Sequence, residues 1–157
     1  MSIMVTGGGG CLGSHLCEIL IKRVQKTVCF DSVSPKFRPE DLAAYKGDIC
    51  NFQNLMECVK KYEVDRIISV ATVLPPQDTP FRTFSVNASG LINILEIARI
   101  LDTKKVIFVS TGGVYGVRPD LTPLNEEVQT NPLSVYEKTK LMGEHLCRIY
   151  KETYGSE

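Results

Sequence analysis

The chain has 157 residues, enough for one domain whose apolar core needs no disulfide or metal to hold it. Lys plus Arg and Asp plus Glu each total 18, so the net charge is zero before the two histidines are counted, and no basic block suits nucleic acid. No apolar run approaches the length of a membrane span and the amino terminus enters a strand without a charged leader, so the expected setting is the cytoplasm, with no membrane partner.

The first apolar run, Ile3 to Thr6, reads as a strand and leads through Gly7-Gly8-Gly9-Gly10 into a helix from Leu12 to about Arg23. Gly7, Gly10 and Gly13 fall at three-residue intervals. A side chain at Gly7 would obstruct the tight turn, one at Gly10 would hold a diphosphate off the main chain, and one at Gly13 would push the helix from the sheet. The freed N–H groups around Cys11 and Leu12 then sit at the positive end of a helix, where an anion is favoured. A second strand, Thr27 to Asp31, ends in an acidic residue 18 positions past Gly13, as expected for a partner of ribose hydroxyls. Together these features predict dinucleotide binding.

Further along come a short strand near Ala44 to Lys46, a helix from Phe52 to Lys61 and a strand from Arg66 to Val70. A helix from about Ser85 to Leu101, a strand from Val106 to Ser110 and a last helix from Ser134 to Tyr154 complete the chain. Leu55, Cys58 and Val59 share one helical face, as do Leu91, Ile94, Leu95 and Ala98. Alternating strands and helices imply an α/β fold, a Rossmann-like doubly wound parallel sheet of expected strand order 3-2-1-4-5, with ligand along the carboxyl ends of the strands. Residues Ser34 to Asp41 and Arg118 to Pro132 read as loops over that edge. The six cysteines lack C-x-x-C spacing and are expected to be reduced and structural, although Cys11 stands at a helix N-terminus, where a thiol pKa can fall. His15 and His145 sit within expected helices and read as structural, and no metal site is expected.

Tyr136 and Lys140 lie four apart on the last helix and so point the same way. An ammonium beside a tyrosine favours the phenolate, which suits proton exchange while a hydride moves to or from a nicotinamide.

In this order the motifs resemble the extended short-chain dehydrogenase/reductase family, which groups NAD-dependent nucleotide-sugar epimerases and dehydratases. They are TGGGGCLG, Asp31, Gly47-Asp48-Ile49, Ser69-Val70-Ala71-Thr72, Asn87, Ser110-Thr111-Gly112-Gly113-Val114-Tyr115-Gly116 and Ser134-Val135-Tyr136-Glu137-Lys138-Thr139-Lys140. The resemblance covers essentially the whole chain. It implies that Asp31 holds the adenosine ribose, Asp48 and Ile49 the adenine, and Lys140 the nicotinamide ribose. It further implies that Thr111 bonds the reacting oxygen, that Ala71 is the small residue over the cofactor, and that Tyr136 is the acid/base. Asn87 is expected either to cap the third helix or to join a proton relay. An acidic residue at Asp31 favours NAD over NADP, with Lys36 and Arg38 in the next loop keeping NADP as the alternative.

Two departures bear on function. Where 4,6-dehydratases have an acidic pair, this chain has Gly112 and Gly113, which argues for epimerase or simple dehydrogenase/reductase chemistry. Members of the family also continue into a carboxyl-terminal lobe that grips the sugar nucleotide, so the 157 residues are expected to form the NAD(P)-binding domain without that substrate lobe. Its fifth strand would then be an apolar edge, to be covered by self-association into a homo-oligomer or by another chain. Three readings stand at this point. They are an NAD-dependent epimerase or oxidoreductase acting on a nucleotide sugar, a cofactor-binding domain without turnover of its own, and a non-enzymatic NAD-responsive interaction module.

Overall fold

The computed structural model describes residues 1–23, 25–35, 39–74, 79–117 and 123–155. Five short apolar stretches pair into one parallel sheet: β1 (Ser2–Thr6), β2 (Thr27–Asp31), β3 (Leu42–Lys46), β4 (Val64–Ser69) and β5 (Lys105–Phe108). Their order is β3-β2-β1-β4-β5, as the alternating pattern predicts. The crossovers are α1 (Cys11–Lys22), α2 (Phe52–Lys61), and a long helical run of α3 (Pro80–Phe84), a π-helical segment (Ser85–Ser89) and α4 (Gly90–Ile100). A 3-10 turn (Gly112–Tyr115) and the final α5 (Val135–Tyr154) follow β5.

β1 is buried along its whole length because helices cover both faces of the sheet. Alternate residues of the strands point to opposite sides. Met4, Val28, Phe30 and Ile67 pack with Leu55, Val59 and Ile94 beneath α2 and α4, whereas Val5, Cys29 and Leu42 pack with Cys17 of α1. Cys17, Cys29 and Cys58 serve as small core hydrophobes. In α1 it is Cys17 that is buried, while Ile19 faces outward.

α5 is placed by close packing. A Cβ at Gly143 would stand 2.7 Å from Phe108 Cε1 and 3.0 Å from Leu91 Cδ2, so only glycine lets the helix lie this near β5 and α4. The start of α5 is fixed by a reciprocal cap. Ser134 Oγ accepts from Glu137 N, and Glu137 Oε2 accepts from Ser134 N at 2.9 Å and Leu133 N at 2.7 Å. Those backbone donors hold the Glu137 carboxyl below the usual carboxylate range.

Several element boundaries differ from the sequence reading. β4 begins at Val64 and β5 ends at Phe108, so Val70 and Ser110 lie just past the strands, over the cleft. The helix expected from Ser85 starts five residues earlier, with Thr79 accepting from Arg82 N as its cap and Pro80 at its first position. Asn87 therefore caps nothing: it sits buried inside the π-helical segment. Of the two expected loops, Lys36, Arg38 and residues 118–122 lie outside the described residues.

Candidate functional site

At the carboxyl ends of the strands lies a cleft of about 530 Å³. Gly7 turns the chain out of β1 with φ at +69°, a conformation that favours glycine, and a Cβ there would also stand 2.7 Å from Ala71 Cα. Gly13 packs directly on that turn, where an added Cβ would strike the Gly7 carbonyl and approach Gly8 Cα to 2.8 Å. The close approach expected at Gly13 is thus between α1 and the turn itself. Gly10 faces open space, where an added methyl group would meet only the Gly7 carbonyl, at 3.3 Å. It caps α1 with no side-chain hydrogen bond and no acidic residue in the first turn, which leaves the helix N-terminus polarised toward the cleft.

Asp31 closes one side of this turn. Its Oδ2 accepts from Gly9 N and its Oδ1 from Val33 N, both at 2.9 Å. Beyond β3, Asp48 Oδ1 accepts from Cys50 N at 2.9 Å, which orders the segment carrying Ile49. On the other side of β1, α5 brings Tyr136 and Lys140 to the same cleft. Lys140 is only 2% exposed, and its Nζ lies 4.4 Å from the centroid of the Phe108 ring. Burial pushes its pKa down to about 8, against the opposing pull of Cys147 and Glu144.

The cleft thus gathers Gly7, Gly10, Cys11, Leu12, Gly13, Asp31, Asp48, Ile49, Ala71, Tyr136 and Lys140. Two residues singled out from sequence, Thr111 and Asn87, are not part of the lining. Thr111 caps the 3-10 turn, its Oγ1 accepting from Gly113 N at 3.2 Å, which leaves the hydroxyl hydrogen to donate. Asn87 bonds Thr72, Val73 and Thr139 from within the core. Two further residues of the lining, Arg82 and Ser110, are not singled out by the sequence reading. The cap-and-proline pair Thr79-Pro80 was the signal for the helix that delivers Arg82.

Among the described residues no group of His, Cys, Asp or Glu is arranged to hold a metal ion, and no helix is long and apolar enough to cross a membrane. The chain is 30% identical to the UDP-glucose 4-epimerase of Streptococcus mutans, an alignment covering 99% of this chain and 49% of that protein. Its fold superposes on the UDP-glucose 4-epimerase of Thermus thermophilus in complex with NAD with a TM-score of 0.93 at 27% identity, covering 100% of this chain and 53% of the other. The Brucella ovis UDP-glucose 4-epimerase in complex with NAD gives a TM-score of 0.89 at 29% identity, over 99% and 49% of the two chains. The chain spans about half the length of the curated relatives it matches. Its match to the NAD dependent epimerase/dehydratase family runs over residues 3–157, and the chain belongs to that family.

Proposed function

We propose that this chain is the cofactor-binding part of an NAD-dependent enzyme of the nucleotide-sugar type, an epimerase or a related oxidoreductase working by reversible hydride and proton transfer at a carbinol. One observation carries the reading: a single cleft joins a glycine turn built for a pyrophosphate to the Tyr136 and Lys140 pair. The family's known structures with bound NAD support the same cofactor here.

The residues fit the group. The uncapped N-terminus of α1 and the space beside Gly10 suit a diphosphate. Asp31 would receive the adenosine ribose hydroxyls, Asp48 and Ile49 the adenine, and Lys140 the nicotinamide ribose, while Ala71 leaves room beside the ring. Held by these residues, NAD would supply a reversible acceptor for the hydride of the substrate carbon. Tyr136 takes the proton of the substrate hydroxyl as that carbon loses its hydride, and gives the proton back in the reverse step. Thr111 donates to the reacting oxygen, and Asn87 acts behind the wall by fixing the segment after β4 to α5. The carboxylate of Asp31 disfavours a 2′-phosphate, hence NAD over NADP. Gly112 and Gly113 offer no carboxylate for water elimination, which favours epimerase or dehydrogenase chemistry over dehydration.

A second reading, a cofactor domain that turns over only when completed by another chain or a second copy, draws on the sheet edge. Ile107 of β5 is 49% exposed, and the strand's outer backbone is unpaired by any described strand. Cytoplasmic localisation is proposed with the family role.

Isothermal titration of the chain with NAD, NADP and then UDP-glucose tests both readings. NAD binding that survives in Tyr136→Phe, with hydride transfer lost, is the expected result. NAD binding without any UDP-glucose signal favours the second reading, and no NAD binding at all overturns both.

A further inference from the structure

Just past β5, Ser110 lines the cleft and donates its hydroxyl to Glu144 Oε1 on α5. Glu144 follows Lys140 by one helical turn, so the two side chains share a face of the helix. Lys140 is buried over Phe108, and no described carboxylate lies within ion-pair distance of it. A buried ammonium without an opposite charge nearby is costly, so the nearest carboxylate on its own face acquires a role.

The other charged and titratable groups of the elements packed on α5 are few. The π-helical segment carries none, α3 carries Arg82, the 3-10 turn carries Tyr115, and β5 carries Lys105 at its start, the end away from the cleft. In α4, Glu96 and Arg99 meet α5 at its far end, through Tyr150 and Tyr154. On α5 itself, Tyr136, Glu144 and Cys147 share the lysine's side of the helix.

We propose that Glu144 is a positioning residue of this site: its carboxylate clamps Ser110, and with it the strand end that leads to Thr111, and serves as the counter-charge that keeps Lys140 an ammonium. This deepens the reading of Tyr136 and Lys140 as the working pair and rests on it for its purpose. The Ser110 contact thereby ties the β5 outlet to α5, while the charge of the same carboxylate acts on Lys140 one turn back along the helix. The direction of the pull that Glu144 exerts on the lysine agrees with this assignment.

The test is a pH titration of the full chain by carbon NMR with lysine labelled at Cε, the Lys140 signal being identified by its loss in Lys140→Met. Glu144→Gln keeps an acceptor for Ser110 and removes the charge. It is expected to lower the Lys140 midpoint by about half a pH unit or more. Glu144→Asp restores the charge and is expected to stay near wild type. Ser110→Ala reads the clamp separately, with a midpoint expected between wild type and the Gln variant. An unchanged midpoint in Glu144→Gln overturns the proposal, as does a Glu144→Asp midpoint that falls as far as Gln, while an unchanged midpoint in Ser110→Ala overturns the clamp. The titration is made without NAD, so these failures leave the cofactor reading standing, whereas absent NAD binding in calorimetry would strike that reading alone.

Discussion

Asn87 Nδ2 donates to Thr139 Oγ1 across 3.2 Å, which joins the π-helical segment to the residue directly before Lys140. The same side chain accepts from Thr72 Oγ1 at 3.1 Å and Val73 N at 2.8 Å, and donates to Val73 O at 3.3 Å. Asn87 is 3% exposed and Thr139 1%, so the bond between them is made where water cannot replace it, while Thr72 and Val73 are half-buried at the cleft. One amide therefore fixes the cleft wall after β4 against the helix that carries Tyr136 and Lys140. The π-helical widening around it fits the tendency of such segments to mark functional positions.

Asn87→Ala is accordingly expected to destabilise the chain by about 2 kcal/mol, because it removes the partner of the half-buried Val73 N–H and C=O and one of the two bonds of the buried Thr139 hydroxyl. Asn87→Asp keeps both acceptor bonds but turns a carboxylate oxygen toward the Val73 carbonyl, and is expected to cost a comparable amount. Urea unfolding checks both. A wild-type midpoint in Asn87→Ala would mean that the clamp contributes nothing.

Lys140 links stability to pH with a sign opposite to that of a salt-bridged lysine. Its folded pKa, about 8, lies below the usual lysine value, so the fold prefers the neutral amine. Below pH 8 the group is protonated in both states and the burial penalty is fully present. As the pH rises from 8 toward 10.5 the folded chain gives up the proton first, the unfolded chain binds more protons, and stability increases. Lys140→Met removes the penalty. It is expected to raise stability below pH 8 by roughly 1 to 3 kcal/mol, after allowance for the lost contact with the Phe108 ring, and the gain should vanish above pH 10.5. Denaturant unfolding of the two chains from about pH 6 to 11 measures the difference directly. Under the proposed function hydride transfer is expected to be lost in the same variant, and the lysine would then be kept at a cost to the fold.

The sheet order and half of the cleft lining were legible in the sequence, the glycine turn and Asp31 because their signals are local. Gly7, Gly10 and Gly13 stand between a strand and a helix and Asp31 ends an apolar run, so each falls at a carboxyl end once the strands are parallel, whereas Asp48, Ile49 and Ala71 were placed by the resemblance to the family's motifs. The start of the third crossover was harder to read, because the strong apolar period from Val86 to Ala98 outweighs the short polar turn at Thr79-Pro80 that begins the helix. The Ser110 bond to Glu144 left no mark at all. Its partners are 34 positions apart, and a serine past a strand or a glutamate on a helix has the same local pattern whether it meets a partner or water.

Asp31 carries two roles that substitution can separate. Its carboxylate holds Gly9 N and Val33 N, which shapes the turn, and in the proposed complex it also excludes a 2′-phosphate. Asp31→Ala removes both roles and is expected to weaken NAD binding at least tenfold while costing about 1 to 2 kcal/mol of stability. Asp31→Asn removes the charge but keeps one acceptor, so it is expected to stay near wild-type stability and to narrow the preference for NAD over NADP. Paired calorimetry and thermal unfolding check this. An unaltered cofactor preference in Asp31→Asn would show that the charge does not select.

Gly10 and Gly13 make the sharpest contrast, because a methyl group added to each meets different surroundings. At Gly13 it would strike the Gly7 carbonyl and crowd Gly8 Cα, both backbone atoms of a turn already held at positive φ. Backbone cannot yield as a side-chain tip can, so α1 must shift. Gly13→Ala is expected to cost about 1 to 3 kcal/mol and to lose NAD binding with it. At Gly10 the methyl group meets only one oxygen, at 3.3 Å, and otherwise projects into open space beside the helix N-terminus. Gly10→Ala should therefore unfold within a degree or two of wild type, since little native packing changes. Its methyl group would nonetheless occupy the approach of a diphosphate to the main chain, so NAD affinity is expected to fall about tenfold or more. Thermal unfolding followed by titration with NAD distinguishes the two variants. Wild-type affinity in a stable Gly10→Ala chain would mean that the diphosphate does not approach the turn at this point, and the assignment of the glycine turn as its cradle would have to be abandoned.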